Sequence, residues 1–214
     1  MTTNKRNLLL RTTLFPPGVP ISMNDLSAVG VSRDLAVYYV NSGWLTRLAP
    51  GVYMRPGDLD LNASLRMLES SITGLHIGGR CALDRYGIKQ YVRFRERLDL
   101  FGFVSAHLPT WFTQVFPSNY KRKRIFSDMN FVSRHPNGGP LTSEPERALL
   151  EMYSEVGLSV NLNEAVDIAE NAFSLRADVL QELINQCISH KAVNLCIKIA
   201  NDKGLPYAAL IKGK

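Results

Sequence analysis

Along the first sixty residues, apolar positions recur first at helical spacing and then at strand spacing. The pattern predicts a helix over Asn4–Phe15 with Leu8, Leu9 and Thr13 facing inward, broken by Pro16-Pro17-Gly18. A short helix follows from Ser22 to Ala28, with Ser22 as N-cap, Asp25 at the third position and Gly30 at its end. Ser32 caps a third helix, Arg33 to Ser42, which Gly43 closes. Two strands, Trp44–Leu48 and Val52–Arg55, are joined by an Ala49-Pro50-Gly51 turn, and Pro56-Gly57 marks a boundary.

Leu61, Leu65, Leu68 and Ile72 share one face of a predicted connecting helix. Residues 75–140 read as a small mixed region with a helix at Cys81–Tyr86 and strands at Leu98–Ser105 and Ile125–Val132. Ser143 and Glu146 bracket Pro145 as a capping box that starts a helix running to Val156, with Leu149, Met152, Tyr153 and Val156 at core spacing. Helices are predicted at Asn163–Phe173, Leu175–Ser189 and Ala192–Lys203. The expected fold class is α+β: an N-terminal winged helix-turn-helix followed by a mixed α/β domain ending in a helical subdomain. The expected limits are 1–57 for the winged helix, 58–74 for the connecting helix and 75–214 for the C-terminal domain, mixed over 75–140 and helical over 141–214.

The formal charge is +6, and its distribution sharpens the picture. Residues 1–57 carry six Lys/Arg against two Asp/Glu, residues 58–140 twelve against seven, and residues 141–214 seven against ten. The basic excess therefore lies in the first two thirds of the chain, and the C-terminal third is mildly acidic. The helix-turn-helix pattern sits within the basic part, and its second helix offers its outer residues to a major groove. Taking Leu35 as inward, Tyr39 and Ser42 also face inward. Arg33, Val37 and Asn41 face outward, flanked by Asp34 and Tyr38. Arginine can pair with guanine, asparagine with adenine, and Val37 can meet a thymine methyl. Trp44 and Tyr53 are expected to anchor the wing, leaving Arg47 and Arg55 for phosphate or the minor groove, with Lys5, Arg6 and Arg11 adding backbone contacts. The candidate DNA-binding set is Ser32, Arg33, Asp34, Val37, Tyr38, Asn41, Arg47, Arg55, Lys5 and Arg6.

A second basic surface is a candidate where Lys121, Arg122, Lys123 and Arg124 run together and Arg93, Arg95 and Arg97 alternate at strand period. The alternative is a solvated loop or strand edge. No Asp-x-Lys or Glu-x-Lys pair occurs, which argues against the common metal-dependent nuclease core. His76, His107, His135 and His190 show no metal-ligand spacing, and Gly78-Gly79 is followed by no phosphate-binding lysine. Cys81, Cys187 and Cys196 form no CxxC pair and read as buried thiols in a reducing compartment. No catalytic constellation, cofactor or metal is expected. Leu8-Leu9-Leu10 is too short for a signal core, and no run approaches the roughly 20 apolar residues of a membrane span. The expectation is a cytoplasmic protein with no membrane partner.

The run GVSRDLAVYYVNSGWLTRLAPGVYMRPG, Gly30 to Gly57, resembles the N-terminal domain of AbiEi-type antitoxins. HIGGRCALDRYGI (His76–Ile88), Leu108-Pro109-Thr110-Trp111, SEPERALLEMY (Ser143–Tyr153) and Asn185–Leu195, ending in KAVNL, resemble later family segments in the family's order. The family often has an arginine where this chain has Asn194. The resemblance implies an antitoxin and autorepressor of a type IV abortive-infection toxin–antitoxin operon. It implies binding to double-stranded operator DNA at an inverted repeat, as a monomer or weak dimer paired on DNA. It also implies a functional partner toxin of nucleotidyltransferase type, neutralised through the C-terminal domain without a stable complex. Two other readings stay open: a stand-alone transcriptional regulator whose C-terminal domain senses a ligand or protein partner, and a protein–protein adaptor with a degenerate winged helix.

Overall fold

A computed structural model describes residues 14–89, 97–134 and 138–213. The helix expected over Asn4–Phe15 lies outside these residues except for Leu14 and Phe15. Strand β1 (Pro20–Ser22) leads directly into helix α1 (Met23–Ala28). The capping box forms as the residue types predict: Ser22 Oγ accepts from the Asp25 N–H, and Asp25 Oδ2 accepts from the Ser22 N–H, both at 3.1 Å. Gly30 takes a φ of +85° after that helix. Ser32 Oγ then accepts from the Leu35 N–H at 3.2 Å and opens α2 (Arg33–Asn41).

Strands β2 (Thr46–Ala49) and β3 (Val52–Met54) make the wing, and β1 adds to the far side of β3. All pairings are antiparallel, with Ile21 and Arg47 both opposite Tyr53 and a bulge between Arg47 and Ala49. Strand β1 has no local signature because its three residues are fixed by a partner thirty residues away. Ile21, Leu26, Val31, Ala36, Tyr39, Leu45 and Tyr53 form one buried core. At about 1.5–3 kcal/mol for each large apolar side chain, this cluster is what holds two such short helices in place. The expectation for Trp44 is corrected: its side chain is 48% exposed, and Leu45, 2% exposed, takes the inward place. The bond from the Leu45 N–H to the Tyr39 carbonyl turns the chain so that strand alternation sends Trp44 out. Ser42 is also exposed, its hydroxyl donating back to the Tyr38 carbonyl at 2.8 Å.

Helix α3 (Leu61–Glu69) is capped by Asp60, whose Oδ1 accepts from the Ala63 N–H at 2.6 Å. Next come β4 (His76–Ile77), α4 (Gly79–Arg85), β5 (Leu98–Gly102), a single helical turn α5 (Thr110–Thr113) and β6 (Ser118–Arg122). Strands β7 (Val132–Arg134) and β8 (Leu141–Ser143) complete a five-stranded sheet in the order β6-β5-β4-β8-β7. The β4–β8 and β5–β6 pairs are parallel, and the β4–β5 and β7–β8 pairs antiparallel. The strand expected over Ile125–Val132 does not form. The chain bends at Asp128, whose carboxylate accepts from the Asn130 N–H and side-chain amide. The strand in this region is instead built from Ser118–Arg122, whose partner β5 is supplied by the fold.

Helix α6 (Pro145–Ser154) is buried on every side from Glu146 onward and is the centre of the C-terminal region. Its N-cap is Glu144, not Ser143, with no side-chain cap, so the expected Ser143–Glu146 capping box is corrected. Ser143 Oγ is drawn inward to Glu151 at 2.8 Å, and Glu146 is held by Arg176. Helices α7 (Leu162–Glu170), α8 (Ala177–Gln186) and α9 (His190–Asp202) follow as the spacing predicts, within a few residues.

Packing groups the chain into two compact units, Met1–Leu68 with Pro109–Phe116, and Glu69–Leu108 with Pro117–Lys214. The Pro109–Phe116 part of the connection between β5 and β6, with Trp111 and Phe112 buried, thus belongs to the same unit as the winged helix. No helix of the described residues is long and apolar enough to cross a membrane.

Candidate nucleic-acid interface

Arg33, Asp34, Val37, Tyr38 and Asn41 all project from α2 into solvent, while Ala36 and Tyr39 turn into the core. Leu35 is half-buried against that core. The helical wheel drawn from the sequence therefore places the outward face correctly. Arg33, Val37 and Asn41 stand one turn apart along it. Arg47 on β2 is exposed as well. Arg33 and Arg47 are both exposed, and no ion pair among the described residues involves either. The acids nearest in sequence to α1 and α3, Asp25 and Asp60, are taken up by capping.

Two expected contributors are committed elsewhere. Ser32 spends its hydroxyl oxygen on the α2 cap. Arg55 is half-buried and donates from Nη1 to the Phe15 carbonyl at 3.0 Å, tying the chain before β1 to the end of the wing. Lys5, Arg6 and Arg11 lie outside the described residues.

The basic run straddles the end of β6, which holds Lys121 and Arg122. Lys121 Nζ lies 2.9 Å from Asp99 Oδ1 and 3.2 Å from Glu155 Oε2, and its side chain is only 11% exposed. Lys123 pairs with Glu155 and donates to the Ser154 carbonyl at 3.0 Å. Arg80 extends the network to Asp99 and Glu164. Burial pushes the Glu155 carboxyl up, but Lys123, Lys121 and Ser159 outweigh it and hold it below the usual carboxylate range. Lys121 and Lys123 thus turn to one side and pair with acids, at 11% and 25% exposure, because period-two alternation carries on one residue past the end of β6. Arg122 and Arg124 are exposed; Arg124 lies over the Phe103 ring, 5.7 Å from its centroid. Arg97 is exposed and reaches Asn119 at 3.5 Å, while Arg93 and Arg95 fall outside the described residues.

A buried polar centre that sequence reasoning missed sits under α6. Glu151 Oε1 meets His76 Nε2 and Arg147 Nε, each at 3.0 Å. Glu151 Oε2 accepts from Ser143 Oγ at 2.8 Å and from the Gly79 N–H at 3.2 Å. The second His76 nitrogen lies 2.7 Å from the Gly74 carbonyl. Arg147 also donates to the Asp128 and Asn130 carbonyls and stacks 4.5 Å above Phe126. Burial pushes the Glu151 carboxyl up, but His76, Arg147 and Ser143 overcome it and hold it at about 2. Gly78 and Gly79 are required here. A Cβ on Gly78 would lie 2.4 Å from Glu151 Oε2 and 2.5 Å from Phe101, and Gly79 has a φ of +53°. The only sequence signal was the pairing of an HIGG run with a distant ERALLE run, which needs the β4–β8 register to bring them together. No group of three or more His, Cys, Asp or Glu residues that could hold a metal ion occurs among the described residues.

Residues 3–94 match the family described as transcriptional regulator, AbiEi antitoxin N-terminal domain. Residues 95–213 match the one described as transcriptional regulator, AbiEi antitoxin, Type IV TA system. The chain belongs to the AbiEi antitoxin family. Like the family, it is a transcriptional regulator and antitoxin of a type IV toxin–antitoxin system. Among solved structures, the chain is similar to the RV2827C protein from Mycobacterium tuberculosis. That match has 15% identity and a TM-score of 0.61, and covers 100% of this chain and 83% of that one, a likeness of fold. No curated protein matches the chain. In this AbiEi antitoxin the family-like HIGG and SEPERALLE segments are thus the two halves of the Glu151 centre. Asn194, where the family often has arginine, is exposed on α9.

Proposed function

We propose that this AbiEi antitoxin represses its own operon by laying α2 in the major groove of an inverted-repeat operator, one chain on each half-site. Residues 1–57 act as the reader and residues 75–214 neutralise a nucleotidyltransferase-type toxin without a lasting complex. The observation that carries the DNA reading is the solvent-facing row Arg33, Val37 and Asn41, together with the exposed Arg47 on the wing. Arg33 and Asn41 have the fork geometry to read guanine and adenine. Arg47, with Lys5 and Arg6, supplies phosphate contacts, which raise affinity without sequence information; Arg55 stays engaged with the Phe15 carbonyl. Arg97, Arg122 and Arg124 remain as the exposed part of the second basic surface.

The test is a binding titration on the duplex upstream of the chain's own reading frame, at two salt concentrations. Arg33→Ala should cost about 1–3 kcal/mol on that duplex and relax its preference over an unrelated one. Equal affinity of the unaltered chain for both duplexes would overturn operator reading. The antitoxin role is scored separately, by growth of cells co-expressing the adjacent reading frame with the full chain.

A further inference from the structure

Trp44 has no place in the core, and its surroundings prevent it from acquiring one. The turn that carries it is pinned by consecutive backbone bonds: the Ser42 N–H to the Tyr38 carbonyl, Gly43 to Val40, and both Trp44 and Leu45 to Tyr39, at 2.9–3.1 Å. Gly43 has a φ of +75°, a conformation that only glycine adopts without strain. Leu45 fills the inward position. Trp44 is therefore held outward by a rigid corner between the end of α2 and the start of β2. Three large apolar side chains stand exposed along this stretch: Val37 at 51%, Tyr38 at 39% and Trp44 at 48%. Arg33 stands at one end of them in sequence and Arg47 at the other, with Asp34 the one acid among the residues from 33 to 47.

Large apolar side chains left exposed on a helix and the corner that follows it mark a surface for a partner. The flanking arginines make the covering surface anionic, and the helix-and-wing frame fits a duplex groove. The geometry points to Trp44 as a DNA-contacting residue that closes its indole over the sugar-phosphate edge of the groove between the α2 footprint and the wing. This assignment rests on the operator-binding reading and adds a residue that the helical wheel does not contain. An indole brings a large amphipathic surface, about 150–250 Å² for an aromatic side chain, at little entropic cost because its backbone is already fixed. It adds affinity on the correct register and less on random duplex, where α2 does not seat.

The chain has two tryptophans, and Trp111 is 9% exposed, so Trp44 emission can be isolated. Full-length Trp111→Phe protein is titrated with the upstream duplex and with a scrambled duplex, while anisotropy of the labelled DNA reports binding in the same cuvette. If Trp111→Phe does not fold, the difference between the unaltered chain and Trp44→Phe gives the same signal. The expected result is a blue shift or quench of Trp44 that saturates with operator binding. Trp44→Ala should lose roughly tenfold in operator affinity, with Trp44→Phe in between, as the partial burial of one large apolar side chain implies. Saturated operator binding with unchanged Trp44 emission overturns this assignment and leaves the operator reading standing. A blue shift that depends on protein concentration without DNA also overturns it, because a second copy would then be the partner. Failure of the unaltered chain to bind either duplex overturns both.

Discussion

Glu151→Gln tests the buried centre under α6. The substitution keeps the shape of the side chain and removes the charge that pairs with Arg147, 2% exposed, and that faces the buried His76 ring at 3.0 Å. The carboxyl is held at about 2 against an ordinary value of 4.5. At 1.36 kcal/mol per unit, ionisation of Glu151 contributes about 3 kcal/mol to folding at neutral pH. Because the folded value is depressed, that contribution is fully present above 4.5 and is lost as pH falls toward 2. About 2 kcal/mol of it should be gone by pH 3. Urea unfolding followed by circular dichroism at pH 7, 5, 4 and 3 measures both quantities. Glu151→Gln should be less stable than the natural chain by about 3 kcal/mol at pH 7, in the range for breaking a buried ion pair, and the gap should narrow to about 1 kcal/mol at pH 3. A gap below 1 kcal/mol at pH 7, or one that does not narrow with acid, would refute the account of Glu151 as an ionised hub.

Gly78→Ala should lower the melting temperature, with a cost of at least about 1–3 kcal/mol, since its Cβ would collide with both Glu151 and Phe101; differential scanning calorimetry reads this directly. Cys187 and Cys196 are buried, and burial pushes the Cys196 thiol up to about 12. A thiol-specific reagent at pH 8 should therefore modify the native chain at no site but the half-exposed Cys81, and all three thiols in urea; fast native labelling of Cys196 would contradict the packing. Phe112→Ala, at a fully buried position, should cost about 3–5 kcal/mol. Hydrogen exchange in the full chain should show the lost protection concentrated in the unit that holds α1 and α2, because Phe112 belongs to it; loss confined to the five-stranded sheet would show that Phe112 is anchored elsewhere.

Local rules carried the short elements a long way. Ser22 with Asp25, and Ser32, start α1 and α2 because a cap is chemistry between residues three apart. The exposed row Arg33, Val37 and Asn41 was readable because a helix fixes side-chain direction from spacing alone. The same local logic failed at Ser143, where the capping-box pattern is present but a buried carboxylate eight residues on competes for the hydroxyl. It failed also at Trp44, where the hydrogen-bonded turn after α2, not residue size, decides which neighbour is buried.

The sequence by itself determined the helix-turn-helix, its outward face, the order of the C-terminal helices and, by resemblance, the family. The tertiary structure alone decided the rest. Strand β1 and the Ser118–Arg122 strand exist because of partners distant in sequence. Pairing of β6 with β5 brings Lys121 within reach of Asp99 and Glu155 and so takes that charge out of solvent. The parallel β4–β8 register sets His76 against Glu151, seventy-five residues apart. Buried charge is stable only where opposite charge and hydrogen-bond partners converge from several elements, and that convergence is a property of the packed chain, not of any stretch within it.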